Sequence, residues 1–196
     1  MKRAIFIKYR MIRYYYTEMT WLSVEGGAFY KPLFFEFPNE AGAYENQELN
    51  VMLGSALKLG IQSKATNVNT TDFYFPTGLW CDVFNNIDPA ENCIYSSGET
   101  HTKSSLAYEF YLHLRGGYIV PLQDAEYYSV KTTHDLKKCD VDLHILPLCD
   151  FGKCNATGRY LNDDGISVDV TGKQNIYTLN YVGLQFGVLT LTVTMD

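Results

Sequence analysis

The stretch Lys31-Pro-Leu-Phe-Phe-Glu-Phe-Pro38 carries the strongest local signal in this chain of 196 residues. Its apolar side chains run almost without interruption between two prolines, a pattern typical of a strand buried on both faces. We therefore predict a strand over residues 31–37. On its N-terminal side, apolar residues recur near a 3.6-residue period over residues 4–24 and predict a helix that ends at Gly26-Gly27. On its C-terminal side, a shorter helical pattern covers residues 45–57.

The rest of the chain has a residue pattern typical of β structure. Short aromatic and β-branched segments alternate with Gly, Asn, Asp and Pro, as in antiparallel sandwiches. The predicted strands cover residues 66–75, 79–84, 108–114, 117–121, 141–147, 157–161, 175–182 and 186–194. The fold class expected is mainly β: β-sandwich regions preceded by a helix–strand–helix unit. The boundaries expected are 1–56 for that unit, 57–138 for a first sandwich and 139–196 for a second, incomplete β domain.

Composition excludes several classes of protein. Hydrophobic residues make up 46% and charged residues 19%, as in folded domains. A net charge of −6 argues against a nucleic-acid partner, because such a partner requires a basic face. The sequence contains no apolar run near 18 residues, so we expect no transmembrane helix.

Five cysteines and two sequons indicate an oxidising compartment. We expect Cys81 to pair with Cys93 across a turn-rich loop. A second disulfide is expected among the other three cysteines, with Cys149 and Cys154 preferred and the pairing of Cys139 left open. The sequons Asn69-Thr-Thr71 and Asn155-Ala-Thr157 are candidate N-glycosylation sites. These features favour a lysosomal or secreted location over a reduced cytosolic chain.

Several blocks, in their order along the chain, resemble the C-terminal part of glycoside hydrolase family 31, the α-glucosidases. Besides Lys31–Pro38, the matching blocks are Tyr9–Thr17, Gln47–Leu57, Phe75-Pro-Thr-Gly-Leu-Trp-Cys-Asp82, Leu114-Arg-Gly-Gly-Tyr-Ile-Val-Pro121 and Asn162-Asp-Asp-Gly-Ile-Ser167. Four departures stand out. Arg13 replaces a common proline, Lys31 an arginine and Ile166 a glutamate, and Lys58 opens a segment that is usually apolar.

The resemblance implies what the chain does and what it lacks. Residues 1–56 would be the tail of a (β/α)8 barrel, which by itself needs about 250 residues. The two catalytic aspartates of such retaining enzymes would precede residue 1, so we assign no catalytic, cofactor or metal residue here. The expected function is to scaffold an active site that cleaves terminal α-linked glucose. The expected partner is a second polypeptide or a missing N-terminal segment that carries the barrel and binds the carbohydrate. Helix 4–24 and strand 31–37 would pack on that partner.

Some residues admit both a chemical and a structural role. Asp163 and Asp164 could be a carboxylate pair, but Asp-Asp-Gly is also a common turn signal, which we favour. Arg115 could bind substrate, although an arginine beside the Gly116-Gly117 corner more often satisfies buried carbonyl groups. The four histidines, at positions 101, 113, 134 and 144, are interpreted as surface or strand residues.

Two further classes of function compete with the enzyme fragment. The departures from the family motifs also fit an inactive structural or interaction protein derived from a glycosidase tail. A sugar-binding β-sandwich module is the other alternative, with Tyr127-Tyr128 as candidate stacking residues.

Overall fold

The computed structural model of the protein describes residues 2–62, 70–84, 92–104, 111–123, 130–167, 173–184 and 189–195. The chain forms two compact units. Unit 1 consists of Met1–Gly26 and Gly117–Asp196, and unit 2 consists of Gly27–Gly116. Strands dominate both units, which confirms the mainly β fold class.

Unit 2 contains two antiparallel sheets. Its strands are β1 (Tyr30–Pro32), β2 (Asn50–Leu53), β3 (Leu57–Gly60), β4 (Thr70–Phe75), β5 (Gly78–Asp82), β6 (Cys93–Ser96), β7 (Glu99–Ser104) and β8 (Tyr111–Arg115). Among the described residues, six strands form one sheet in the order β1-β2-β3-β8-β5-β6, and β4 pairs with β7 in the other. The core of the unit contains Leu33, Phe37, Ala43, Met52, Phe73, Phe75, Trp80 and Tyr111. Met52, Trp80 and Tyr111 come from the first sheet and Phe73 and Phe75 from the second, so unit 2 is a β-sandwich.

The predicted strand over residues 31–37 is wrong beyond Pro32. Leu33–Phe35 form a 3₁₀ turn, in which the amides of Glu36 and Phe37 both donate to the Leu33 carbonyl at 3.0 Å. A continuous apolar run cannot by itself distinguish a strand from a buried helical turn. The turn buries Leu33 and Phe37 within unit 2 and leaves Phe35 59% exposed. The segment is therefore covered in large part by its own unit.

The predicted helix over residues 45–57 is also wrong. Gln47–Leu49 form a single 3₁₀ turn, and the chain then enters the β2–β3 hairpin, in which Leu53 pairs with Leu57. Gly54 has φ +62°, a left-handed conformation that glycine adopts without steric cost and that closes this tight connection. The apolar residues are spaced as in a helix, but the residues of the tight turn favour a hairpin, and the hairpin forms.

In its described residues, unit 1 combines a sheet with two helices. Its strands are β9 (Tyr118–Gln123), β10 (Val141–Leu146), β11 (Leu148–Asp150), β12 (Lys153–Asp163), β13 (Gln174–Leu184) and β14 (Leu189–Met195). The order is β10-β9-β12-β13-β14, β11 also pairs with β12, and the β9–β12 pair is parallel. The helices are α1 (Lys2–Glu25) and the short α2 (Thr133–Leu136), which the Thr132 side chain caps.

Helix α1 confirms the predicted helix, but not its expected packing partner. It packs on β9 and β12 of its own unit and buries Ile7, Met11 and Tyr14. The buried Thr17 hydroxyl donates to the Arg13 carbonyl at 2.9 Å and accepts the Leu161 amide at 3.1 Å. β9 and β12 thus cover the part of α1 around Met11, whereas Ile5 and Met19 remain about half exposed.

The predicted boundaries at 56/57 and 138/139 do not coincide with those of the units. The chain passes between units at Gly26/Gly27 and at Gly116/Gly117. Gly117 has φ +89°, and its amide and carbonyl bond to β10 and β12 through the Leu146 carbonyl and the Thr157 amide. This corner separates β8 from β9, so the motif around it contributes strands to two different sheets. No described helix is long and apolar enough to cross a membrane.

Candidate functional site

A charged cluster fixes the turn that follows β1. Glu36 accepts hydrogen bonds from the Lys31 ammonium, from the Ser55 hydroxyl at 3.0 Å and from Arg115 Nη1 at 3.1 Å. The Arg115 guanidinium also lies 4.4 Å from the centroid of the Phe37 ring. Arg115 thus contacts a carboxylate and an aromatic face of its own unit.

The environment of Glu36 favours its ionised form. Burial would raise its pKa, but the hydrogen bonds from Lys31 and Ser55 and the charges of Lys31 and Arg115 outweigh burial and lower it. The cluster therefore holds the segment from Lys31 to Phe37 in one geometry. Its role is structural, because the one carboxylate, Glu36, binds two cations of the same unit.

We expect the substitution Glu36→Gln to lower the free energy of unfolding of unit 2 by about 1–2 kcal/mol at pH 6, since charge-assisted hydrogen bonds are lost. A lowered pKa gives stability that is present above the unfolded pKa, about 4.3, and lost as the pH falls through the folded pKa. The difference between variant and wild type should therefore narrow below about pH 4. The free energies of unfolding of wild type and variant are measured by urea unfolding, followed by Trp80 fluorescence in a Trp21→Phe background.

The exposed Glu48→Gln is the matched control and should change stability by less than about 0.5 kcal/mol. Equal stabilities of wild type and Glu36→Gln at pH 6 would show that the cluster does not stabilise unit 2.

Two exposed aromatic rings and a half-buried one form a surface beside this cluster. Phe34 stacks on Tyr44, with ring centroids 5.0 Å apart and planes 6° from parallel, and meets Phe35 edge-on at 5.1 Å. Phe35 is 59% and Tyr44 49% exposed, and the Tyr44 hydroxyl donates to the Pro38 carbonyl at 3.0 Å. We call Phe34, Phe35 and Tyr44 the aromatic surface. Fixed, contiguous and exposed aromatic rings are typical of protein contact sites.

Lys58 and His113 form a second polar cluster, inside the core of unit 2. They face each other on β3 and β8, and both are fully or almost fully buried. Lys58 Nζ donates to Asn50 Oδ1 at 2.9 Å and lies 4.3 Å from the Phe75 ring centroid. Burial lowers the pKa of Lys58 to about 7, and burial together with the Lys58 charge lowers that of His113. Enclosed groups cannot meet a substrate, so these residues belong to the core.

The Asp163-Asp164-Gly165 segment is a turn, which confirms the structural interpretation. Asp163 Oδ1 accepts the Gly165 amide at 2.9 Å, and Gly165 has φ +64°. Asp164 Oδ1 accepts the amides of Ile166 at 3.0 Å and Ser167 at 2.9 Å, and these bonds with the Ser167 hydroxyl lower the pKa of Asp164. Its two carboxylates are therefore engaged in local bonds rather than poised as an acid and a base.

The remaining predicted positions are dispersed. Asn155 is exposed on β12, while Asn69 and Tyr127-Tyr128 lie outside the described residues. The structure contains the expected disulfides Cys81–Cys93 and Cys149–Cys154. Cys139 forms no disulfide among the described residues, and its Sγ donates to the Asp135 carbonyl oxygen at 3.7 Å.

The other histidines also lie apart from one another. His101 is on β7, His144 on β10, and His134 is an exposed residue of α2. Within the described ranges, no group of three or more His, Cys, Asp or Glu residues could hold a metal ion.

Sequence comparison assigns unit 2 to a known domain. Residues 26–120 match the Glycosyl hydrolase family 31 C-terminal domain, and this range nearly coincides with unit 2. The chain belongs to glycoside hydrolase family 31. The resemblance drawn from the sequence blocks is thereby confirmed.

Relatives extend the match beyond this domain. The chain is 32% identical over 169 residues to an uncharacterized family 31 glucosidase of Schizosaccharomyces pombe, covering 84% of this chain and 16% of that protein. It is 29% identical over 180 residues to the lysosomal alpha-glucosidase of Bos taurus, covering 87% of this chain and 18% of the relative. The chain thus spans less than a fifth of the length of these family 31 relatives.

Solved structures share the fold. A glucosidase II alpha subunit in its Glc1Man2-bound form superimposes with a TM-score of 0.76 at 19% identity, over 93% of this chain and 19% of that chain. A family 31 dextranase of Flavobacterium johnsoniae gives a TM-score of 0.72 at 19% identity, over 89% of this chain and 20% of that one.

Proposed function

We propose that this chain is the non-catalytic C-terminal part of an α-glucosidase that hydrolyses terminal α-linked glucose, and that it scaffolds an active site on residues outside the chain. Family membership and relatives named as α-glucosidases support the reaction class. The two polar clusters of unit 2 support a structural role, because Glu36 binds Lys31 and Arg115 of its own unit, and Lys58 and His113 are enclosed in the core.

The observation that carries the proposal is the aromatic surface. Phe35 and Tyr44 remain exposed although Leu33 and Phe37, in the same segment, are buried. The Lys31–Glu36–Arg115 cluster holds this segment rigid, so little conformational entropy would be lost on docking. The partner proposed for this surface is the catalytic barrel, carried by a second polypeptide or by a segment that precedes residue 1. Carbohydrate would be bound through that partner.

We further propose a lysosomal or extracellular location. Disulfides persist in oxidising compartments, and the described residues contain two. The exposed sequon at Asn155 fits the same route, and the bovine relative is named as lysosomal. Glycosylation at Asn69 and Asn155 belongs to this proposal.

We expect an affinity-tagged form of this protein, purified from its natural source, to carry the catalytic barrel and α-glucosidase activity with it. Mass spectrometry should find peptides with the family's W-x-D-M-N-E motif, either in a co-purifying polypeptide or in the same chain. The substitution Phe35→Glu places a charge in the aromatic surface. If the barrel is a separate polypeptide, this substitution should release it from the protein. If both belong to one chain, the substitution should disturb the active site. In either case we expect hydrolysis of an aryl α-glucoside to fall by about tenfold or more.

Tyr95→Glu is the matched control, since Tyr95 is 79% exposed on β6 of the same unit and lies outside the aromatic surface. It should leave both partner and activity unchanged. Retention of full activity and partner by Phe35→Glu would disprove docking through this surface. Absence of α-glucosidase activity from the purified wild type would disprove the proposed function.

A further inference from the structure

Unit 1 contains a cleft that the proposed scaffolding role does not use. It lies between α1, the end of β9, α2 and the turn that follows β12, and has a volume of about 210 Å³. Its walls include Arg13 and Tyr16 of α1, His134 and Lys137 at α2, and Asp163. This volume is below the roughly 300–1,000 Å³ typical of pockets for drug-sized ligands, so the cleft fits a small molecule.

Arg13 in this cleft is a buried cation for which the described residues provide no counter-ion. It is only 7% exposed, and its Nε atom has no hydrogen-bond partner. No ion pair joins its guanidinium to a carboxylate in the described parts of the chain. The Tyr160 ring lies 5.6 Å from the guanidinium carbon, a contact that offsets only part of the cost of burying a charge. Because arginine stays protonated in proteins, the site calls for an anion.

Among the described residues, the two acidic residues that line the cleft, Asp163 and Asp164, do not supply that anion. Asp163 Oδ2 accepts the Tyr16 hydroxyl, and its Oδ1 accepts the Gly165 amide. This bond to Asp163 is the main reason that the pKa of Tyr16 is raised to about 12. Asp164 is occupied by the Ser167 amide and hydroxyl. The carboxylates are thus bound to Tyr16 and to the turn rather than to Arg13.

A second cation lies at the mouth of the cleft. The Lys137 ammonium donates to the carbonyl oxygens of Asp163, at 3.2 Å, and of Asp164. Carbonyl oxygens are neutral acceptors, so the positive charge of Lys137 is not neutralised by these bonds. Arg13 and Lys137 together present a guanidinium fork and an ammonium group to one small space, a combination that suits carboxylate and phosphate groups.

We propose that this cleft binds a small oxyanion, a carboxylate or phosphate group on a molecule about the size of a monosaccharide. Arg13 is the principal ligand-binding residue, through its guanidinium, and Lys137 assists at the rim. The family motif that the α1 sequence resembles commonly has proline at the position of Arg13. The site is therefore a property of this chain's sequence.

Calorimetric titration of the full chain tests the proposal with four probes: glucuronate, glucose 6-phosphate, inorganic phosphate and glucose. We expect glucuronate, the phosphates or both to bind with a Kd of about 0.1–1 mM, and glucose not to bind. Binding of glucuronate alone would identify the ligand group as a carboxylate, and binding of the two phosphates alone would identify it as a phosphate. Either result supports the site. Arg13→Lys should weaken binding about tenfold, since the bidentate fork is lost, and Arg13→Met should abolish it.

The control is Arg10→Met, which removes an arginine of the same helix that pairs with Asp142 at 3.7 Å; binding should be unchanged. Near-ultraviolet circular dichroism verifies that each variant is folded. If Arg13→Met does not fold, the exposed Lys137→Met takes its place and should weaken binding at least about threefold. The proposal is overturned if no probe binds the wild type at about 10 mM, if glucose binds equally well, or if a folded Arg13→Met binds as the wild type does.

Discussion

The substitution Lys58→Met should raise the free energy of unfolding of unit 2 by about 3 kcal/mol at pH 6. Burial lowers the pKa of Lys58 from 10.5 to about 7, a shift that corresponds to roughly 4–5 kcal/mol of cost for the charged form. Methionine has a similar length and no charge to bury. The substitution also removes the hydrogen bond to Asn50 Oδ1, which stays buried, and this loss reduces the gain in stability by about 1–2 kcal/mol.

The effect of Lys58 has a definite pH dependence. Below pH 7 the lysine is protonated in both the folded and the unfolded state, so the full cost persists. Between pH 7 and 10.5 only the unfolded state holds the proton, and wild-type stability rises with pH through that window. Lys58→Met lacks this rise, so its advantage should shrink as the pH approaches 10.

Urea unfolding at pH 6 and pH 10, followed by Trp80 fluorescence in a Trp21→Phe background, measures both effects. Trp80 is a fully buried residue of unit 2, whereas Trp21 belongs to unit 1. The control is Lys103→Met, at a half-buried position on β7, with an expected change within about 0.5 kcal/mol. A Lys58→Met variant that is no more stable than wild type at pH 6 would show that Lys58 is buried without cost.

The substitution Gly158→Ala should lower the free energy of unfolding of unit 1 by about 3 kcal/mol, the upper end of the range for overpacking. A Cβ atom on Gly158 would lie 2.3 Å from the Ile119 carbonyl oxygen and 2.8 Å from the Ile119 Cβ. The nearest atom belongs to the backbone of β9, which cannot move away freely because Ile119 also pairs with Ile145 of β10. The added methyl group must therefore force β12 from β9.

Trp21 fluorescence in a Trp80→Phe background reports this unfolding, because Trp21 belongs to unit 1 and the Arg159 guanidinium lies 4.6 Å from its ring. Thr157→Ala, at an exposed neighbouring position of β12, is the control and should cost less than about 0.5 kcal/mol. If Gly158→Ala were as stable as this control, the close approach of β9 and β12 would not be a constraint on the sequence.

Local signals identified much of the fold because neighbouring residues suffice to form those features. The α1 period, the Gly26 stop and the Asp163-Asp164-Gly165 turn depend on contacts within a few residues, and all three are present. Alternating apolar residues likewise located β8 and β14. Hydrophobic spacing predicted the wrong structure where two local structures compete. Residues 33–35 form a turn instead of a strand, and residues 45–57 contain a hairpin instead of a helix.

The candidate sites were less accessible to sequence reasoning. Lys58 and Arg13 are visible in the sequence as departures from the family pattern, but nothing local indicates that both are buried. Pairing of Arg115 with Glu36 joins residues 79 positions apart, and the bond between Tyr16 and Asp163 spans 147 positions. The β6 and β7 strands escaped prediction because their polar residues do not alternate with apolar ones clearly enough.

The sequence by itself determined the family, the mainly β class, the helix, the turn at Asp163–Gly165 and the disulfide cysteines, because each depends on composition or on short-range pattern. The tertiary structure alone decided that β8 and β9 belong to different units, that α1 packs on β9 and β12, and that Gly158 must lack a side chain. It also decided which charges are matched, as in Glu36, and which are not, as in Arg13. Burial and pairing depend on contacts between residues that are far apart in the sequence and meet only when distant strands assemble. The periodicity of a single segment does not indicate which of these contacts will form.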